Sequence, residues 1–157
     1  MPFGPRTNGL PYCFADFINP EGPAYSVIYR HRFRASEILA EPRVIVAGWA
    51  ICADTDKEAQ KVASSARMTR ALLNEGKLIP VPPIDKALQF LSERGPNADT
   101  IARPRRAIIG SPATAKRGIA ELAILYGADE VMIVTITYDH AARLRSYELI
   151  ATAFELG

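Results

Sequence analysis

The side chains able to do chemistry in these 157 residues are few: two histidines, two cysteines and some isolated carboxylates. Asp139-His140 follows an apolar run, and a carboxylate beside an imidazole can tune a general base. The same pair reads equally well as a helix cap and a surface group. His31 lies in the basic stretch Arg30-His31-Arg32-Phe33-Arg34 and is expected to be exposed. Cys13 and Cys52 each sit in an apolar run, and both are expected to behave as small buried hydrophobes rather than nucleophiles, because no base is visible near either. Asp16 stands out as a carboxylate near the end of an apolar stretch. Burying it alone is costly, so it must face solvent or line a polar site. Gly110-Ser111-Pro112-Ala113-Thr114-Ala115-Lys116 loosely resembles a phosphate loop, since amides at a helix start bind anions. A Ser cap followed by Pro accounts for the same residues without a ligand. The chain contains no GxGxxG, GxxxxGK[ST], HExxH or GxSxG.

These groups must be positioned by a recurring order of apolar run and helical pattern. The runs are 10–18, 44–53, 131–137 and the weaker 107–110, and their nearly continuous β-branched character predicts strands covered on both faces. Tyr25, Ile28, Tyr29 and Phe33 predict one helical stripe. Thr55 to Glu58 predicts a capping box opening a helix with Ala59, Val62, Ala63, Ala66 and Leu73 on one face, stopped at Gly76. Ser111-Pro112 opens another, with Ala115, Ile119, Leu122 and Ala123 inside and Gly127 at its end. Asp139 is expected to cap a last helix whose inner face is Leu144, Tyr147, Ala151 and Phe154. Residues 77–106 carry five prolines and one short amphipathic helix (Ile84, Ala87, Leu88, Leu91), and read as an insertion.

Strand–helix–strand alternation predicts a single α/β domain over 1–157, with residues 1–9 as an N-terminal arm and a parallel sheet with right-handed crossovers. Nineteen basic against seventeen acidic side chains leave a net charge of +2, too balanced for a dedicated nucleic-acid binder. The clusters Arg30–Arg34 and Arg103, Arg105 and Arg106 are expected to be solvated surface. No apolar run reaches the roughly 18–20 residues of a membrane span. Two cysteines are too few for a disulfide framework or a cysteine-only zinc site. The start, Met1-Pro2-Phe3-Gly4-Pro5-Arg6, has no apolar core behind it, so a cytoplasmic, reduced protein without a secretory leader is expected.

Four stretches, taken in order, resemble the C-terminal half of the bacterial luciferase-like, flavin-dependent monooxygenases. They are Gly9–Ala15, Ala53–Ala59, Ile109–Pro112 and Gly127–Thr135, the last continuing through Tyr138-Asp139-His140 to Arg143–Leu149. The resemblance covers the chain from Gly9 onward. It implies a (β/α)8 (TIM) barrel of about twice this length that uses reduced FMN, or a related flavin, with oxygen. It assigns 10–18, 44–53 and 131–137 to the last three barrel strands and 77–126 to the excursion before the final one. It also implies that the earlier strands are missing, together with the serine-rich loop that holds the flavin phosphate. Met1–Asn8 offers no comparable motif. By the same resemblance Asp16 and Phe17 are candidate wall of a flavin pocket; no metal site is expected, because the chain offers too few ligands in any recognisable spacing.

The expected fold is thus α/β, a partial TIM barrel of three to four parallel strands with flanking helices. A whole barrel needs about 200 residues or more. Unpaired strand edges favour association, so a homodimer, or a separate N-terminal half-barrel chain, is the expected partner. Neither nucleic acid nor membrane is expected. The alternative is a non-catalytic, self-associating remnant without flavin, and a third reading is a small anion-binding module built on Ser111.

Overall fold

The computed structural model describes residues 9–19, 21–94 and 107–156. Four strands and five helices alternate: β1 (Tyr12–Ala15), α1 (Gly22–Arg32), β2 (Val44–Cys52), α2 (Asp56–Asn74), α3 (Ile84–Arg94), β3 (Ala107–Gly110), α4 (Pro112–Tyr126), β4 (Glu130–Val134) and α5 (His140–Ala153). The clusters at Arg103, Arg105 and Arg106 and at residues 1–8 lie outside the described residues.

All pairings are parallel, and β2 makes every one of them. β1 runs along Val44–Ala47, β3 along Trp49–Cys52, and β4 along Ile45–Trp49. A strand has two hydrogen-bonding edges. Ile45, Val46 and Ala47 pair with β1 and β4 at once, and Trp49 pairs with β3 and β4 at once. β4 therefore holds one edge of β2, while β1 and β3 follow one another along the other. The sheet has four strands but is only three strands wide.

Successive side chains of a strand point to opposite faces, and this alternation splits the core in two. On one face Val44 and Val46 pack with Tyr29 of α1 and Leu122 and Tyr126 of α4, and Ala50 and Cys52 with Ala115, Ile119 and Ile150. On the other, Trp49 and Ile51 meet Ala63 and Ala66 of α2. Helix α2 covers only the C-terminal half of this second face. Cys13, Ala15, Ile45, Ala47, Glu130 and Met132 share its other half by register, and there Cys13 is exposed and Met132 is 51% exposed. The expectation of strands covered on both faces thus holds for β3 and the C-terminal half of β2, and Cys13 is not core. The apolar run at 10–18 also yields a strand of only four residues, because β2 offers β1 an edge no further than Ala47.

Helix ends follow their local chemistry. Thr55 Oγ1 accepts the Glu58 amide at 3.2 Å, Asp139 Oδ1 accepts the Ala141 amide at 2.7 Å, and Gly127 closes α4 at φ +54°, a left-handed conformation that suits glycine. Ser111 occupies the cap position of α4, but its hydroxyl lies 3.3 Å from Thr114 Oγ1 and caps no amide. Two inner faces differ from expectation. On α1, Gly22, Ser26 and Tyr29 are buried while Tyr25 and Ile28 are largely exposed. On α5, Ser146 and Ile150 are buried while Leu144 is 48% exposed. Polar anchoring turned both helices: Ser26 Oγ donates to the Tyr126 carbonyl at 2.5 Å, and Ser146 Oγ accepts the Cys52 amide at 2.9 Å.

Candidate functional site

The seam where β1 ends and β3 begins opens a cavity of about 540 Å³ beside α4. Asp16, the first residue after β1, sits at its base. Its amide still donates to the Ala47 carbonyl at 3.0 Å, which fixes the backbone as the strand would. Its carboxylate, 1% exposed, accepts the Tyr126 hydroxyl at 2.9 Å. Asp16 therefore lines a polar site and does not face solvent; the partner that lets it be buried comes from the last turn of α4, far away in sequence. Thr114, Arg117, Gly118, Glu121, Leu122 and Leu125 of α4 form the opposite wall. The close approach of that wall depends on glycine: a Cβ at Gly118 would stand 2.8 Å from Ile108 Cγ2, and one at Gly48 2.5 Å from Leu122 Cδ2.

Phe17 goes the other way. It packs with Trp49, Ile51, Ala63 and Ala66 under α2, so the two candidate wall residues lie on opposite sides of the seam and only Asp16 lines the cavity. Trp49 is core, as expected, at 7% exposure, and it touches both regions. Its indole N–H is buried with no hydrogen-bond partner among the described residues, and the Arg70 guanidinium stands 5.5 Å from its ring centre. Nothing in the sequence distinguishes such a tryptophan from an ordinary core residue.

The remaining candidates are occupied elsewhere. The Ser111 amide donates to Asp56 Oδ1 at 2.6 Å, and that hydrogen bond holds the Asp56 carboxyl below its ordinary range. A carboxylate of the chain itself thus takes the anion position at the start of α4, which removes the reason for an external phosphate there. Asp139 serves the Ala141 amide, not the imidazole. His140 is exposed, with Nδ1 2.8 Å from Arg143, and borders an open cleft with Lys61, Asp85 and Tyr138. His31 is exposed. Cys52 is buried, and burial pushes its thiol up to about 11, far from a nucleophile at neutral pH. Among the described residues no three His, Cys, Asp or Glu side chains gather as a metal site, and no helix is long and apolar enough to cross a membrane.

No family model matches the chain. An uncharacterised Bacillus subtilis protein, YceB, is 33% identical over 147 residues, which make up 93% of this chain and 44% of that protein. A luciferase-like monooxygenase of Escherichia coli K12 is 29% identical over 143 residues, 90% of this chain and 42% of that one. The chain is similar to a luciferase-like monooxygenase over 42% of that protein's length. The crystal structure of apo-MsnO8 matches 97% of this luciferase-like chain and 47% of its own, with a TM-score of 0.88 at 34% identity. The luciferase-like chain spans about half the length of the curated relatives it matches. Its parallel sheet and flanking helices are accordingly a partial TIM barrel, as the resemblance implied.

Proposed function

We propose that this chain is the C-terminal half of a flavin-dependent oxidoreductase of the luciferase-like kind, and that it forms a flavin site only when a second segment completes the barrel. The observation that carries the reading is the half-covered sheet: the face bearing Cys13, Ile45 and Met132 is left open in a chain spanning under half of its relatives. Reduced FMN is the cofactor the resemblance implies. The cavity at Asp16 has a volume suited to a small molecule. Its ionisable lining does not suit the phosphate of FMN, because Asp16 and Glu121 set two carboxylates against the single guanidinium of Arg117. Asp16 fits as wall for the ring system, Phe17 lies across the seam under α2, and the phosphate would be held by groups other than this lining. No catalytic step is assigned to the chain alone for that reason.

The test is a titration of FMN against the purified chain, read by flavin fluorescence. The lone chain is expected to leave the signal unchanged at micromolar flavin, and the completed barrel to show saturable binding. Saturable micromolar binding by a monomer would overturn the need for a second segment. A completed barrel that ignores FMN would overturn the flavin reading itself.

A further inference from the structure

Strand β2 stops at Cys52 and leads into α2, while β4 stops at Val134 and leads into α5. The two strands are hydrogen-bonded neighbours, so the segments that follow them share the carboxyl end of the sheet, where parallel α/β folds place their ligands. A cleft of about 670 Å³ opens there, bordered by Lys61 of α2, by Pro83, Ile84 and Asp85 at the start of α3, and by Tyr138 and His140 at the start of α5. That volume is in the range of small-molecule sites. The cleft shares no lining residue with the cavity at Asp16.

The imidazole in this cleft has a fixed tautomer. His140 Nδ1 lies 2.8 Å from Arg143 Nη2. A guanidinium has donors only, so Nδ1 must accept and the ring proton sits on Nε2. Arg143 follows His140 by three residues on the same helix, and such a pair meets on one helical face. His140 therefore meets a ligand as an N–H donor. Asp139 has no hand in this, because its carboxylate takes the Ala141 amide and its carbonyl the Thr137 hydroxyl. Lys61 supplies the second donor and the one ammonium that lines the cleft. Pro83, Ile84 and the Tyr138 ring give it an apolar wall. A neighbouring cleft along α2 also borders Lys61, but its polar groups are spent on the chain itself: Thr55 caps the Glu58 amide and Arg67 donates to Gln60. Charge narrows the ligand further. One ammonium balances one negative charge, and the carboxylates of Asp85 and Asp139 oppose a second.

We propose that the cleft between α2, α3 and the start of α5 binds a small aliphatic monocarboxylate. The carboxylate accepts from the Lys61 ammonium and from His140 Nε2–H, and the aliphatic part lies on Pro83, Ile84 and the Tyr138 ring. All of these groups belong to one chain, so the site stands whether or not flavin binds.

The histidines provide the readout. The chain has only two, and His31, exposed on α1, is a control within the same sample. Long-range ¹H–¹⁵N spectra at neutral pH, assigned with His31→Gln, report which ring nitrogen carries the proton. Without ligand, His140 should show the pattern of an Nε2–H ring. Butyrate added at constant ionic strength should shift the His140 signals saturably at millimolar concentration and leave His31 in place. Butyramide, the uncharged analogue, and inorganic phosphate should shift them far less. Lys61→Gln should weaken butyrate by about tenfold, since it removes a charged donor. Asp85→Asn should tighten it by about threefold, since it removes an opposing charge. Arg143→Gln should release the tautomer, so that both ring nitrogens share the proton, and should weaken butyrate as well. The three positions are exposed, and unchanged thermal midpoints would separate lost binding from lost fold. The inference is overturned if butyrate produces no saturable shift, if His31 moves in step with His140, or if phosphate binds the tighter. Undiminished binding in Lys61→Gln would overturn it too.

Discussion

Tyr126→Phe isolates the contact on which the candidate site rests. The hydroxyl donates to a carboxylate that is 1% exposed, and removing a donor from a buried charged acceptor costs about 1.5–3 kcal/mol. Urea unfolding of the variant should show that loss as a lower midpoint with an unchanged slope. Glu121→Gln, on the exposed rim of the same cavity, should stay within about 0.5 kcal/mol of the parent. A loss below that level for Tyr126→Phe would mean that Asp16 is held by its other contacts. Titration tests a second residue. Asp129 accepts the Val44 amide at 2.8 Å and pairs with Arg30 at 3.0 Å, and that amide bond is the main reason its carboxyl lies below its ordinary value. A carboxyl depressed in the folded state stabilises above its unfolded pKa, near 3.9, and loses that stabilisation as pH falls through the folded value. Asp129→Asn should therefore unfold less steeply with acid below about pH 4, as followed by circular dichroism. At this scale the sequence was legible for Cys52, Trp49 and His31 but not for Cys13. Cys13 and Cys52 stand in equally apolar runs, and only the sheet order reveals that one strand is central and the other has a bare face.

Among the elements, the local signals read true because their physics is local. Thr55, Asp139 and Gly127 end helices through hydrogen bonds and backbone angles within a few residues. The inner face of α5 was decided from 94 residues away, where the Cys52 amide needed an acceptor and found Ser146 Oγ. Apolar periodicity cannot register a buried hydroxyl, so it placed Leu144 inside. Ser146→Ala would leave that amide buried and unpaired, at a cost of about 1–3 kcal/mol by urea unfolding. Leu144→Ala, at a position half exposed, should cost under about 1 kcal/mol. The opposite ranking would restore the face read from the sequence. The placement of Asp16 has the same cause. Its hydrogen-bond partner Tyr126 lies 110 residues further on, and the pocket it lines exists only because β3 takes over the edge where β1 stops.

Across the whole molecule, stability should be graded by how many edges each strand has paired. β2 is bonded on both edges from Ile45 to Ala47 and again at Trp49, and it is covered by helices on one face throughout and on both in its C-terminal half. Among the described residues β1 and β4 each pair on one edge only, and part of one face is bare. Amides are protected from exchange by the free energy of the opening that frees them. Hydrogen exchange should therefore find Val46–Ile51 slowest and the outward amides of β1 and β4 fastest among the strands. Closing the barrel changes only the second group, since β2 already has both neighbours. Adding the segment that completes the barrel should slow exchange in Tyr12–Ala15 and Glu130–Val134 and leave Val46–Ile51 as it was. The emission of Trp49, the single tryptophan, already buried under α2, should stay put as well. A shift of the Trp49 emission, or added protection confined to β2, would mean that α2 moves aside on assembly. The barrel interior would then begin at Trp49, not at the face of Cys13 and Met132.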